Sequence, residues 1–287
     1  MTMKKIGVVG AGMMGAEIAL CFARAGMDVI LADIKQEFAD GGKQKQAAIL
    51  DRQIAKGRTT EEAKADILSR VTPTVDLTLM ADCDLVVEAV LEKLEIKADT
   101  FRKLDGICKP ETILASNTSS ISITKLAASV SKERAANFVG THFNSPASVM
   151  KLVEVIPGLL TSPETADAVT QVLLDIEKEP VRVKDVTGFA LNRLFHVFYG
   201  EAMRLIEEGV ATPEDIDKIC VYGLGHPVGI CKLLDQTGHD LNVSVDQILF
   251  DAYGERFRPS PVLQRFVDSG RLGRKSGQGF YTYEKKK

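Results

Sequence analysis

Three glycines near the start of the chain constrain its fold more than any other feature. Residues 10–15 read Gly-Ala-Gly-Met-Met-Gly, which fits the pattern GxGxxG, and they lie between an apolar run at 6–9 and a helical pattern of apolar residues. Gly10 permits a tight turn, Gly12 lets backbone amides approach a pyrophosphate, and Gly15 allows the helix to pack closely on the strand. This order is typical of a dinucleotide-binding unit. The alternative is a loop whose glycines serve packing alone.

An acidic residue supports the dinucleotide interpretation. Asp33 ends a second predicted strand at 29–32, eighteen residues after Gly15, where a carboxylate can accept the hydroxyls of the adenosine ribose. The same carboxylate would repel the 2′-phosphate of NADP, so we expect NAD, although Lys35 keeps some use of NADP open. The expected cofactor contacts in this region are Gly10, Gly12, Met13, Met14, Gly15 and Asp33.

Strand and helix signals alternate along the first two thirds of the chain. Further strands are predicted at 71–75, 85–88, 113–116, 138–141 and 152–156. Such alternation implies a parallel sheet with right-handed crossovers. The 37 residues between Asp33 and Val71 exceed what one crossover needs. Because helix-forming residues fill them, with a break at Gly57, we predict an inserted helical hairpin.

The last third of the chain has a different character. Strand signals fade after Val183, and helices are predicted at 186–208, 213–223 and 240–253. We therefore predict an α/β domain over residues 1–184 and an all-α domain over residues 185–287. The apolar character of the helical part favours self-association into a dimer or a larger homo-oligomer.

Composition excludes several classes of protein. The net charge is −3, with 36 basic and 39 acidic residues, so nucleic acid is disfavoured as a partner. The five cysteines form no CxxC pair, which argues against a disulfide framework and a zinc site and favours a reducing, cytoplasmic setting. Glu17 interrupts the apolar run near the N-terminus, and no uncharged apolar stretch of about 20 residues occurs. We expect no signal peptide, no membrane span and no metal.

One histidine and one glutamate are candidates for acid–base chemistry. His142 follows the strand predicted at 138–141, and ligands bind beyond the carboxyl ends of parallel strands. Glu154 interrupts the apolar run at 152–156, and a buried carboxylate needs a partner. A His–Glu pair would orient the imidazole and raise its basicity, as the dehydrogenation of a secondary alcohol requires. The alternative is that Glu154 pairs with a lysine such as Lys151.

Beyond these candidates, the chain resembles the L-3-hydroxyacyl-CoA dehydrogenases, most closely the short bacterial 3-hydroxybutyryl-CoA dehydrogenases. The matching segments are residues 10–15, 87–89, 115–120, 142–143, 149–155, 188–189, 192–193, 272–277 and 279–281. The resemblance covers nearly the whole chain. It implies an α/β Rossmann-like domain with an inserted helical hairpin, followed by an all-α C-terminal domain that commonly forms the dimer interface.

The resemblance also implies roles for individual residues. His142 would be the catalytic acid and base, with Glu154 as its orienting partner. Ser119 and Asn192 match residues that position the 3-oxygen of the substrate and neighbouring groups, and Ser119 is counted among the cofactor and CoA contacts as well. The further matches to cofactor contacts are Glu92, Lys97 and Lys275.

The inserted hairpin matches a segment that contacts CoA, and its charge gives independent support. Residues 41–60 carry five basic side chains against the single acid Asp51, a local balance of +4 in an acidic chain. CoA presents a 3′-phosphate and a pyrophosphate, which such a surface can hold. Arg52 and Lys56 are the expected CoA contacts. The alternative is an ordinary solvated helix face.

Together with the resemblance, these features predict NAD-dependent oxidation of a (S)-3-hydroxyacyl-CoA to the 3-oxoacyl-CoA. The resemblance further implies a four-carbon acyl chain and a place in short-chain fatty-acid (butyrate) metabolism. Two alternatives differ in substrate or in activity. A dehydrogenase of a free hydroxy acid would not need the basic hairpin, and a catalytically silent NAD-binding protein would not need His142 with Glu154. The order Asn144-Ser145-Pro146 departs from the family pattern, which bears on substrate preference more than on hydride transfer.

Overall fold

The computed structural model describes residues 3–284, so the lysines at 285–287 lie outside the described residues. Within that range one sheet contains eight strands. The strands are β1 (Lys5–Val9), β2 (Asp28–Ala32), β3 (Val71–Thr74), β4 (Leu85–Glu88), β5 (Ile113–Ser116), β6 (Phe138–Phe143), β7 (Leu152–Pro157) and β8 (Glu179–Arg182). They lie side by side in the order β3-β2-β1-β4-β5-β6-β7-β8.

The described chain divides into two compact units, one ending at Val186 and the other beginning at Thr187. The first unit contains the sheet and the helices α1 (Met13–Arg24), α2 (Gln36–Ile54), α3 (Glu61–Ser69), α4 (Leu94–Ile107), α5 (Ile123–Ala127), α6 (Lys132–Ala135) and α7 (Pro163–Asp175). The second contains α8 (Leu191–Glu207), α9 (Pro213–Lys218), α10 (Ile230–Thr237), α11 (His239–Tyr253) and α12 (Pro261–Asp268). Short helical turns cover Leu77–Met80, Ile219–Gly223, Glu255–Phe257 and Arg274–Ser276.

The sheet is parallel from β3 across to β6, which brings the carboxyl ends of these strands to one edge. Its central strands are buried and apolar, with Ile6 and Val87 inaccessible to solvent. Such burial is expected when crossover helices cover both faces of a parallel sheet. β7 then runs antiparallel to β6, and β8 pairs parallel with β7 at the sheet edge. This gives the α/β Rossmann-like architecture that the sequence predicts.

The inserted helical hairpin is formed by α2 and α3, which occupy the long crossover between β2 and β3. Its first helix packs on α1, where the buried Gln46 side chain donates a 2.8 Å hydrogen bond to the carbonyl of Ala16. Gly42 permits this approach, because a Cβ there would lie 2.8 Å from the Ala11 side chain. The hairpin is therefore attached to the glycine loop and its helix.

The predicted strand at 138–141 was too short, and this changes the position of His142. β6 continues to Phe143, so His142 lies within a strand instead of after one. The cause is the antiparallel partner β7, which supplies hydrogen bonds along the last residues of β6. A strand signal read from one segment contains no information about that partner.

The helix predicted at 186–208 was wrong at its start, because α8 begins at Leu191. Gly188 and Phe189 have φ angles of +71° and +46°, which lie in the left-handed region and do not continue a helix. β8, α10 and α12 were not predicted. Each has eight residues or fewer, which is too short for a clear periodic signal.

Each unit has its own apolar core. In the first, the buried side chains of the sheet pack against α1 and α7, with Ile18 and Val169 among them. In the second, Tyr199 and Leu234 belong to a separate cluster. Among residues 3–284, no helix combines the length and the apolar character needed to cross a bilayer.

Candidate active site

The three glycines of the loop after β1 are required for different reasons. Gly10 has φ +100°, and a Cβ there would lie 2.6 Å from the carbonyl oxygen of Ala89. A Cβ on Gly15 would lie 1.7 Å from the carbonyl oxygen of Gly10, so the loop and the helix touch at this point. At Gly12, by contrast, no described atom beyond its chain neighbours lies within 4 Å of the Cβ position. Gly12 therefore borders open space.

That open space faces the start of α1, which has the properties of a phosphate site. The N-cap residue of the helix is Gly12, which has no side chain to cap it, and Gly12 and Met13 are exposed. The first-turn amides are thus available to an anion, and the helix dipole favours negative charge there. Asp33 stands next to the loop, where its carboxylate accepts 2.7 Å hydrogen bonds from the amides of Ala11 and Ile34. The residues present fit a dinucleotide, with the pyrophosphate at Gly12 and a ribose at Asp33.

The candidate acid–base pair is formed across β6 and β7. His142 and Glu154 are directly opposite each other in the antiparallel register, so their side chains share one face of the sheet. The imidazole Nδ1 lies 2.8 Å from Glu154 Oε2. Both side chains are buried, His142 at 8% and Glu154 at 1% exposure. The contact on which the acid–base hypothesis depends is therefore present, and it is shielded from solvent.

Neighbouring polar residues hold the ends of these two strands. Asn117, which follows β5, accepts a 2.9 Å hydrogen bond from the amide of Phe143. Asn144 donates a 3.1 Å hydrogen bond to the carbonyl of Leu152, which closes the open end of the strand pair. The amide of Asn144, displaced by one position from the family pattern, thus supports the backbone beside His142.

A second polar group surrounds Glu92. Its Oε1 atom accepts hydrogen bonds from the hydroxyl of Thr118 and from the amides of Ser119 (2.9 Å) and Ser120 (3.1 Å). The hydroxyl of Ser119 lies 3.3 Å from the same oxygen. Burial acts to raise the pKa of Glu92, but the ammonium of Lys97 and the donors of the serine loop outweigh it and lower that pKa. Glu92 is therefore an ionised anchor for the loop that carries Ser119.

Lys97 lies in a buried ion-pair network. Its side chain is 1% exposed, and its ammonium lies 2.7 Å from Glu88 Oε1 and 3.1 Å from Glu92 Oε2. The carbonyl of Val90, at 3.4 Å, is a third acceptor. Three acceptors match the three donors of an ammonium group. Lys97 is thus surrounded by protein in this structure, and a direct contact with a cofactor remains a prediction.

The basic residues of the inserted hairpin fall into two groups. Lys43 and Lys45 donate to the backbone carbonyls of Val71 and Ala11, so they help to attach the hairpin to the sheet and the glycine loop. Arg52, Lys56 and Arg58 are exposed, and none of them has an ion-pair partner in the range 3–284.

The remaining candidates lie in the second unit. Asn192 stands in the first turn of α8, three residues after Phe189, which like Gly188 has a left-handed backbone conformation. Lys275 is half-exposed, and its ammonium lies 2.6 Å from Asp240 Oδ2. The roles of Asn192 and Lys275 toward substrate and cofactor remain predictions.

Two family models match the chain. One describes the NAD-binding domain of 3-hydroxyacyl-CoA dehydrogenase and matches residues 5–186, and the other describes the C-terminal domain of that enzyme and matches residues 188–283. The chain belongs to the 3-hydroxyacyl-CoA dehydrogenase family. A 3-hydroxyacyl-CoA dehydrogenase with this N-terminal domain is an NAD-dependent oxidoreductase, which confirms the cofactor that Asp33 favours.

Individual relatives agree with the family models. A probable 3-hydroxybutyryl-CoA dehydrogenase of Deinococcus radiodurans is 46% identical over 97% of this chain and 100% of its own length. A 3-hydroxyadipyl-CoA dehydrogenase of Escherichia coli is 42% identical over 97% of this chain and 58% of its own length. The crystal structure of (S)-3-hydroxybutyryl-CoA dehydrogenase from Ralstonia eutropha superposes with a TM-score of 0.93 at 39% identity, covering 99% of this chain and 100% of that one.

Two residues of this 3-hydroxyacyl-CoA dehydrogenase have a structural importance that sequence reasoning missed. Glu88 appeared only as the end of a predicted strand and as part of a matching segment, yet it is completely buried and pairs with Lys97. Glu17 was noted only as an interruption of an apolar run, yet it accepts two hydrogen bonds from Ser148. In both cases the signal was an acid inside an apolar run, which indicates a buried partner but does not identify it.

Proposed function

We propose that this 3-hydroxyacyl-CoA dehydrogenase interconverts (S)-3-hydroxybutyryl-CoA and acetoacetyl-CoA. The observation that carries the proposal is the 2.8 Å contact between His142 and Glu154, buried on two strands of the sheet that bears the dinucleotide loop. A four-carbon acyl chain is supported by the names of the Deinococcus and Ralstonia relatives. The proposal includes a place in short-chain fatty-acid metabolism, butyrate metabolism included, because both members of the substrate pair are thioesters of four-carbon acids.

His142 is the group that moves the proton. Its Nδ1 atom is engaged by Glu154, so we assign proton exchange with the substrate oxygen to Nε2. In oxidation the imidazole takes the hydroxyl proton, and the carboxylate of Glu154 stabilises the imidazolium that forms. In reduction the imidazolium returns the proton to the developing alkoxide. NAD, when bound, supplies the hydride acceptor.

Ser119 and Asn192 are the groups proposed to hold the substrate oxygen. Ser119 belongs to the loop fixed by Glu92, and its hydroxyl can rotate to donate to another acceptor. The loop fixes the oxygen of Ser119, so only the hydroxyl proton has to turn toward the substrate oxygen to stabilise charge there. Asn192 is assigned its role by the family resemblance.

The exposed guanidinium and ammonium groups of Arg52 and Lys56 are proposed to hold the phosphates of CoA. They lie on and directly after α2, and Arg58 adds a third charge nearby. Cations without an ion-pair partner keep their full charge for an anionic ligand. A free hydroxy acid has no phosphates for this surface to bind, so the surface favours a CoA thioester as the substrate.

The decisive experiment measures loss of NADH absorbance with three substrates. We expect efficient turnover of acetoacetyl-CoA, weaker turnover of 3-oxoadipyl-CoA and none of acetoacetate at the same concentration. A preference for 3-oxoadipyl-CoA would replace the four-carbon assignment with a dicarboxylic one. Turnover of acetoacetate alone would support the free-acid alternative, and no turnover of any substrate would support a silent NAD-binding protein.

We also propose that the protein is a homodimer in the cytoplasm. The proposed domain boundary, between residues 184 and 185, lies two residues before the division of the described chain into compact units. Support for the dimer comes from apolar side chains exposed in the second unit, among them Leu194, Val210 and Tyr222. The five cysteines are free and buried, as suits a reducing compartment. Light scattering after gel filtration tests the dimer, which requires twice the mass of the chain.

A further inference from the structure

A chain of buried charges connects the sheet to the Ser119 loop. It begins at Glu88, the last residue of β4, whose side chain is 0% exposed. Oε1 of this carboxylate accepts hydrogen bonds from the amide of Val90 and from Lys97, both at 2.7 Å, and Oε2 accepts one from the hydroxyl of Ser116 at 2.7 Å. Three donors hold it from three directions, so its position is strongly determined.

Lys97 connects the carboxylate of Glu88 to that of Glu92. Its ammonium is held 2.7 Å from Glu88 at the inner side and 3.1 Å from Glu92 at the outer side. A buried ammonium with one carboxylate partner would move toward that partner alone, because opposite charges attract strongly where water is excluded. Glu88 supplies the opposing attraction, and the two carboxylates together determine where the ammonium lies.

Of the three charged residues Glu88, Lys97 and Glu92, Glu92 is the one that reaches the surface, with a side chain 36% exposed. Lys97 holds its Oε2 atom, which orients Oε1 toward the amides of Ser119 and Ser120. A shift of Lys97 therefore becomes a shift of Oε1 and of the loop bonded to it.

We propose that Glu88 is a positioning residue for Ser119, acting through Lys97 and Glu92. The inference rests on the proposed function only where it predicts an effect on kcat. The position of the Ser119 loop is the same question with or without a substrate. Glu88 touches neither substrate nor cofactor in this account. It determines where Ser119 stands when the substrate arrives.

The first test uses Glu88→Gln and hydrogen–deuterium exchange, which needs no substrate. The substitution keeps the size of the side chain and removes its charge. We expect the amides of Ser119 and Ser120 to exchange about ten-fold faster or more, while those of Leu114 and Ala115 in β5 keep their wild-type rates. Unchanged exchange at Ser119 and Ser120 would overturn the proposal, whatever the enzyme acts on.

The second test is a double-mutant cycle on kcat for acetoacetyl-CoA. Glu88→Gln should lower kcat by about ten- to a hundred-fold, as misplacement of a positioned group does. If Glu88 acts through Ser119, adding Glu88→Gln to Ser119→Ala should change kcat by less than about two-fold, because interacting residues are not additive. Fully additive effects would contradict the proposal. Inactivity of the wild-type enzyme would refute the proposed substrate, and the exchange result would still decide the role of Glu88.

Two further variants separate positioning from loss of stability. Asp105→Asn removes the partner of the buried Arg134 near the other end of α4, and it should lower the melting temperature without changing kcat. The double variant Glu88→Gln, Lys97→Met removes the two fully buried charges together, and Glu92, which then lacks its ammonium partner, is partly exposed to water. It should keep fast exchange at Ser119 even when its melting temperature equals that of the wild type. Wild-type exchange in this variant would overturn the proposal.

Discussion

Glu17 and Ser148 join the dinucleotide-binding helix to the loop between the two strands of the acid–base pair. The carboxylate of Glu17, in α1, accepts hydrogen bonds from the amide of Ser148 at 2.8 Å and from its hydroxyl at 2.7 Å. The ammonium of Lys178 holds the same loop through the carbonyls of Ala147 and Met150. The segment between His142 and Glu154 is therefore fixed by side chains from outside it.

This relationship gives a prediction for Glu17→Ala. The substitution leaves the part-buried amide of Ser148 without its Glu17 acceptor, which costs about 1 kcal/mol of the free energy of unfolding, the lower end of the range for a buried donor. We also expect a lower kcat, because the loop that joins β6 and β7 loses an anchor. Thermal unfolding and NADH turnover measure the two effects. Glu37→Ala on the exposed face of α2 is the control, and an equal loss there would contradict the prediction.

Substitution of the proposed acid–base residue should affect chemistry and not cofactor affinity. His142→Ala should lower kcat by about 10²–10⁴, the usual contribution of a general acid or base. Glu154→Gln should lower it by about 10–100-fold, because a hydrogen bond to a charged group contributes about 1.5–3 kcal/mol. Binding of NADH, followed by its fluorescence, should stay unchanged in both. Turnover at the wild-type rate in His142→Ala would exclude the proposed role.

The carboxylate of Asp33 should determine cofactor choice. Asp33→Ala removes the proposed ribose acceptor and the repulsion toward a 2′-phosphate, so the KM for NADH should rise by about 10–100-fold. The preference for NADH over NADPH should shrink with it. Asp28→Ala is the control, because Asp28 is an exposed carboxylate at the opposite end of β2. Greater catalytic efficiency of the wild type with NADPH would refute this account of the site.

The exposed cations of the hairpin should contribute to CoA binding. Reversal of charge in Arg52→Glu, Lys56→Glu should raise the KM for acetoacetyl-CoA several-fold and leave the KM for NADH unchanged. The effect should weaken with added salt, because exposed charges are screened over about 8–10 Å at ordinary ionic strength. Arg102→Glu, Lys103→Glu places the same change on the exposed face of α4. An identical KM shift in that control would indicate a general field effect and not a CoA site.

We expect the second unit to lose stability at acid pH because the carboxylate of Asp235 becomes protonated. This buried carboxylate accepts hydrogen bonds from the amides of Phe280 and Tyr281 and from the hydroxyl of Tyr283, and His239 Nε2 lies 2.8 Å away. Burial acts to raise the pKa of Asp235, but these donors outweigh it and lower that pKa.

Because the folded-state pKa is the lower one, the contribution of Asp235 is complete above the unfolded value of about 3.9 and is lost as pH falls through the folded value. Asp235→Asn should therefore lower the melting temperature at about pH 7, and the difference from wild type should shrink below about pH 4. Asp268→Asn at the exposed end of α12 should show no such pattern. A difference that stays constant down to acid pH would contradict the linkage.

The sequence alone was sufficient to predict those parts of the protein whose conformation depends on residues close to each other in the sequence. The spacing of Gly10, Gly12 and Gly15 specifies a turn, an open approach and a close helix contact, and each of these needs few residues beyond the loop itself. The alternation of apolar runs predicted the parallel sheet, and the excess length before Val71 predicted the helical hairpin.

The tertiary structure decided which charged side chains meet. The antiparallel return of β7 extends β6 and places Glu154 opposite His142. The packing of α4 against the sheet buries Lys97 between two carboxylates, and the fold brings Glu17 to Ser148, 131 residues away along the chain. An acidic residue inside an apolar run indicates that a partner must exist, because an unpaired charge in the core costs too much free energy of folding. The identity of that partner depends on contacts between distant segments, which only the folded chain forms.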